Sequence, residues 1–154
     1  MSLLTDIIFV KALRSNEELI GKLPAGDVYN TSIALPDVDF DNAPIPYVIV
    51  SFDGLQNDAI TKDCSYEGSL DKVQISIEVA AQTRPQLGEL VTAIRKTILS
   101  YFENLPDTDE DYSLLPLDYM FSSQGVMYYP DKPCYYQVLQ YACDTNSNIY
   151  EQED

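Results

Sequence analysis

The chain has 154 residues, 45% of them apolar, and carries 25 acids against nine bases for a formal net charge of −16. That is enough apolar material for one hydrophobic core, and too much for a disordered chain. The acidity opposes phosphate contacts, which need clustered Lys and Arg. The absence of histidine removes Ser-His-Asp and Cys-His catalysis, imidazole acid–base chemistry and His-ligated zinc.

The start, Met1-Ser2-Leu3-Leu4-Thr5-Asp6, has no basic segment ahead of its apolar stretch and includes an acid, so no cleavable secretory signal is expected. No run approaches the roughly 18 apolar residues that span a bilayer. Residues 3–13 read as a helix, with Ser2 or Thr5 as cap and Asp6 at the positive end. Asn16 caps a second short helical turn that Gly21 stops. Residues 24–46 form a long connection. Val28-Tyr29-Asn30 is a candidate short strand in it, and the prolines from Pro36 to Pro46 keep the later part out of a sheet centre.

Tyr47 to Phe52 is β-branched and aromatic, apolar on both faces, and reads as a central strand. Asp53-Gly54 and Glu67-Gly68-Ser69 are turn signals, which predict a loop over residues 53–70. The next run alternates cleanly. Val73, Ile75, Ile77, Val79 and Ala81 take one face, while Gln74, Ser76, Glu78 and Gln82 take the other, as on a strand with one buried and one wet side. Thr83 as cap and Pro85 in the first turn open a helix that reaches about Asn104. Leu87, Leu90, Val91, Ile94, Ile98, Leu99, Tyr101 and Phe102 give it an apolar stripe to lay on the sheet.

Pro106-Asp107-Thr108-Asp109-Glu110-Asp111 then makes an acidic loop. Residues 117–121 are a candidate strand, and Tyr135 to Ala142 reads as a strand that closes the sheet. The polar stretch 144–154 reads as a frayed tail. The whole chain therefore predicts one α+β domain over residues 1–154. Its sheet is mixed or mainly antiparallel, with a long helix packed on one face and a short N-terminal helix.

Three scattered cysteines, Cys64, Cys134 and Cys143, make no Cys-x-x-Cys pair and fit reduced thiols better than a disulfide framework. Asp107-x-Asp109-x-Asp111 has the opening rhythm of a calcium loop, but Tyr112 stands where the sharp turn needs glycine and Pro116 interrupts the exit. Asp37-x-Asp39-x-Asp41 fails because Val48 stands where the closing acid belongs. No glycine-rich phosphate loop or nucleophile elbow is present. Twelve tyrosines, grouped late at Tyr128, Tyr129, Tyr135, Tyr136 and Tyr141, serve equally as strand formers and as interface residues.

A short N-terminal helix ends in a small acidic turn, Ala12-Leu13-Arg14-Ser15-Asn16-Glu17-Glu18-Leu19. Val28-Tyr29 leads on to Pro46-Tyr47-Val48-Ile49-Val50. Lys72-Val73-Gln74-Ile75-Ser76-Ile77-Glu78-Val79-Ala80-Ala81 then precedes a helix containing Leu90-Val91-Thr92-Ala93-Ile94-Arg95. In order and spacing this resembles the tail-completion, or tail-terminator, proteins of long-tailed bacteriophages and prophages, over roughly residues 3–105 plus the last strand. The extended segment 107–133 and the acidic tail depart from the shorter members.

The resemblance implies a non-enzymatic α/β subunit with no cofactor and no metal. Such subunits form a ring, often hexameric, at the head-proximal end of the tail, stop tube polymerisation and join the tail to the head. The implied partners are further copies of the chain, the tail-tube protein and a head-completion or connector protein. DNA would pass without specific binding, and no membrane is involved. The implied location is the virion tail, with the host cytoplasm during assembly. Gln74, Ser76 and Glu78 on the wet face are candidates for subunit contact. Asp107, Asp109 and Asp111 are candidates for lining the channel or meeting a basic partner. Two other classes stay open: a small α/β binding module with a host function, and a carboxylate-dependent hydrolase.

Overall fold

The computed structural model describes residues 5–31, 44–59, 69–104, 120–123, 125–130 and 133–146. Three helices, α1 (Thr5–Arg14), α2 (Glu17–Gly21) and α3 (Arg84–Glu103), lie with six strands: β1 (Tyr29–Asn30), β2 (Tyr47–Ala59), β3 (Ser69–Ala81), β4 (Met120–Ser123), β5 (Met127–Tyr129) and β6 (Cys134–Asn146). The sheet order is β1-β2-β3-β6-β4, and β5 also pairs with β6. β1 runs parallel to β2 and every other pairing is antiparallel. The expected α+β fold, with a mixed sheet, a long helix and a short N-terminal helix, is the observed one.

The alternation in β3 sets the two faces. Val73, Ile75, Ile77, Val79 and Ala81 are all buried in the core, together with Val48 and Val50 of β2 and Leu139, Tyr141 and Cys143 of β6. Against them lies α3, whose buried stripe is Leu87, Leu90, Ile94, Ile98 and Phe102, spaced three and four residues apart as one helical face requires. Leu99, assigned from sequence to this stripe, points out of it and is 45% exposed. Thr83 caps the helix by accepting from the Gln86 amide at 3.3 Å, and Gln86 Oε1 accepts from the Gln82 amide at 2.9 Å.

In α1, Ile8, Phe9, Val10, Ala12 and Leu13 are buried, together with Thr5 and Asp6. Phe9 meets Phe102 edge-on at 4.9 Å and Tyr141 at 5.4 Å, which ties both long helices to β6. Thr5 lies within α1 and is not its cap, and Ser2, the other candidate, lies outside the described residues. Asn16 caps α2 as expected, accepting from the Leu19 amide, and its Nδ2 donates to Thr97 of α3 at 2.9 Å. Arg14 grips both carboxylate oxygens of Asp27 at 2.8 and 2.9 Å, but both side chains are half exposed, so the pair adds little stability. Since Ile94 and Ile98 have no exposed surface, Ile94→Ala or Ile98→Ala should each cost about 2–5 kcal/mol. Urea denaturation checks this, and a negligible loss in both would contradict the packing of α3 on the sheet.

Three sequence expectations need correction. The loop expected over residues 53–70 is strand at both ends, because β2 continues to Ala59 and β3 starts at Ser69. Asp53-Gly54 marks a β-bulge and not a turn: Phe52 pairs with Ile75 and Gly54 with Gln74, which leaves Asp53 as the extra residue. The polar stretch from Asp144 begins in strand, since Asp144, Thr145 and Asn146 pair with Lys72, Asp71 and Leu70. β4 overlaps only the end of the strand expected over 117–121, and its other residues lie outside the described ones. So do most of 36–46 and all of 107–116, both expected to be loops.

Candidate functional site

Among the described residues, every helix contacting the sheet packs on the face of Val73, Ile75 and Ile77, and none lies on the opposite face of the three long strands. Strand register reads this face as parallel rungs. Ser76 lies between Ser51 and Gln140, Glu78 between Ile49 and Val138, and Ala80 between Tyr47 and Tyr136. Gln74 is next in line, flanked by Gly54 and Ala142. The three sheet residues picked out from sequence therefore stand side by side on one surface. Gln74 is exposed, and Ser76 and Glu78 are half-buried. Asp107, Asp109 and Asp111 lie outside the described residues.

Polarity changes along the face. The rungs of Gln74 and Ser76 are small and polar, whereas that of Glu78 is a carboxylate between two apolar residues. Beyond it, tyrosines take over. Tyr129 of β5 stacks on Tyr136 of β6 with ring centroids 4.6 Å apart, and the Tyr136 hydroxyl donates to Met127 Sδ at 3.3 Å. Val126, Met127, Tyr128 and Tyr129 are all exposed, which gives the β5 edge an unusual run of large apolar side chains. β4 and β5 both line the side of β6 away from β3, so the outer backbone of this short row has no further strand among the described residues. An edge of this kind can accept a neighbour's strand.

Electrostatics single out the Glu78 end. Burial pushes the Glu78 carboxyl up from its ordinary value of 4.5. Tyr47 is pushed up to about 12, first by burial and then by the Glu78 charge, with Cys134, Tyr129 and Tyr136 adding to it. Tyr136 rises to about 12 as well, through its hydrogen bond with Tyr129, then burial, then the nearby Tyr129 and Glu78. No Lys or Arg among the described residues forms an ion pair with Glu78. A carboxyl raised in this way binds its proton more tightly in the folded protein than in the unfolded chain. It therefore favours folding at low pH and withdraws that support as pH rises through the raised pKa. Glu78→Gln should accordingly make the protein more stable than wild type at pH 7, with the gap closing as pH falls toward 4.5. Paired urea titrations across this range check it, and a variant less stable at pH 7 would contradict it.

The sequence pattern marked Gln74, Ser76 and Glu78 but missed Tyr47 and Ala80 as their neighbours. Tyr47 carried a signal in its strand position. Its place beside Glu78, Tyr129 and Tyr136 depends on register between strands far apart in the chain.

A second surface feature is a shallow open groove of about 700 Å³ between α2 and α3, bordered by Asn16, Lys22, Glu89, Lys96 and Thr97. Its charges are mixed, and it encloses nothing. Cys134 and Cys143 are buried, and they lie on opposite faces of β6, so they do not bond to each other. Among the described residues, no group of three or more Cys, Asp or Glu side chains is placed to hold a metal ion, and no helix is long and apolar enough to cross a membrane. No family model matches the chain, and no curated protein matches it in sequence.

Proposed function

We propose that this chain is a structural component of a bacteriophage or prophage-derived tail, one that caps the tail tube and joins it to the head as a ring of copies. The observation that carries the reading is a sheet face on which no helix lies among the described residues, continuous with the apolar β5 edge. Three 13-residue strands at about 3.3 Å per residue and 4.8 Å spacing make a sheet plane of roughly 600 Å², on the scale of the roughly 800 Å² per partner of a standard protein interface, with Ile49, Ala80 and Cys134 on this face already buried. A flat, wide surface of this kind suits contact with another protein of an assembly, whereas small-molecule chemistry needs a concave site.

Charge distribution supports the same reading. Segments 1–31 and 82–104, which supply the three described helices, contain six acids and six bases. The entire net charge of −16 therefore lies in the remaining segments, with 19 acids and three bases. So acidic a chain repels DNA phosphates and favours basic protein partners. The tyrosine cluster also fits a second reading, a small α/β binding module with a host function.

Electron microscopy of the purified protein, alone and mixed with its tail tube, separates the two. The tail reading expects a ring at one end of each tube. Tubes with bare ends at saturating protein would contradict it and favour the binding module.

A further inference from the structure

The part of this surface with the most specific chemistry is the rung of Tyr47, Ala80 and Tyr136 together with Glu78 and Tyr129. Ala80 contributes a methyl group between two tyrosines, with Glu78 two residues along the same face of β3. Glu78 stands diagonal to both Tyr47 and Tyr136, within about 7–8 Å by sheet geometry. It is near enough for its charge to oppose the ionisation of each. Tyr129 extends the aromatic wall by stacking on Tyr136 and leaves 48% of its own surface open.

A half-buried carboxylate with no Lys or Arg partner among the described residues is a costly arrangement. An incoming cation would remove that cost. The aromatic faces carry negative quadrupoles that attract the same cation, and phenolic and carboxylate oxygens accept its hydrogen bonds. A guanidinium fits best, because it stacks on rings and offers a planar fork of donors, whereas an ammonium is a strongly hydrated point charge.

We propose that Tyr47, Glu78, Tyr129 and Tyr136 form a binding site for the guanidinium of an arginine presented by a different, basic protein of the assembly. The occupant is a different, basic protein because the chain's formal charge of −16 disfavours a second acidic copy at this carboxylate and attracts a cationic partner. The inference rests on the reading of this face as an assembly surface and adds the chemistry of what it receives.

The test uses the isolated full chain and capped Gly-Arg-Gly, at about 0.15 M salt to screen diffuse attraction, followed by amide NMR shifts. Capped Gly-Lys-Gly and the neutral citrulline analogue of the arginine peptide are the comparison probes. Shifts are expected to centre on residues 47, 78, 129 and 136, with affinity falling in the order arginine, lysine, citrulline. Glu78→Gln and the bulk-conserving Tyr129→Leu should each weaken arginine binding about tenfold or more. Asp53→Asn, which removes the same charge from an exposed site at the bulge, should leave it unchanged.

Shifts spread over the acidic surface, equal binding of the citrulline peptide, or equal weakening by Asp53→Asn would overturn the site. Shifts at these residues that grow with protein concentration without peptide would overturn it in favour of a second copy as occupant. Since no tail is needed, the result separates from the tail reading. Specific arginine binding by a chain that does not cap tubes would keep the site and remove the tail. A capping chain that ignores the arginine peptide would do the reverse.

Discussion

Phe102→Ala is expected to cost about 3–5 kcal/mol of folding stability, and Phe9→Ala a similar amount. Both rings are fully buried, and they meet edge-on at 4.9 Å where α1 crosses α3. Phe9 also reaches Tyr141 on β6, so truncating either ring opens a cavity where two helices and the sheet converge. Domains of this size have about 5–15 kcal/mol in total, so either change leaves a marginal fold. The expected result is a large fall in the urea midpoint with an unchanged slope. Leu99→Ala, on the outer side of α3 with 45% of its surface exposed, should stay within about 1 kcal/mol of wild type. Equal losses at Leu99 and Phe102 would contradict the orientation of α3.

The second large effect is on association. Met127→Ser combined with Tyr129→Ser should leave the fold close to wild type. The two side chains are 38% and 48% exposed and belong to a three-residue edge strand outside the core. Buried aromatic anchors at protein interfaces commonly contribute about 2 kcal/mol or more each. If the β5 edge is an assembly surface, the double change should weaken attachment to the tail tube by roughly a hundredfold or more. Co-sedimentation with tubes reads this directly. Undiminished attachment by a folded double variant would move the interface elsewhere on the molecule.

The parts of the fold legible in sequence were those fixed by local pattern. Alternation from Val73 to Ala81 gave both faces of β3. The spacing of Leu87, Leu90, Ile94, Ile98 and Phe102 gave the buried side of α3, and Asn16 and Thr83 marked their helix starts through cap chemistry. Asp53-Gly54 misled, because a bulge and a turn use the same residues, and whether the chain reverses there depends on pairing with Gln74 and Ile75. Strand continuation through Asp144, Thr145 and Asn146 was hidden for a related reason: three polar residues show no apolar alternation, and their strand structure comes from pairing with residues 70–72. β5 is three residues long, too short for periodicity to report. Of the candidate site, the polar centre was visible in one strand and Tyr129 and Tyr136 in the late tyrosine group, but their meeting with Tyr47 and Glu78 was not, since it is set by register across β2, β3, β5 and β6.

The central claim, that this chain terminates a tail and joins it to a head, is tested most directly by assembling tails with and without it. Omission is predicted to give tubes of uncontrolled length that fail to join filled heads, with both defects restored by adding the purified chain. Tails that stop at normal length and join heads in its absence would contradict the account.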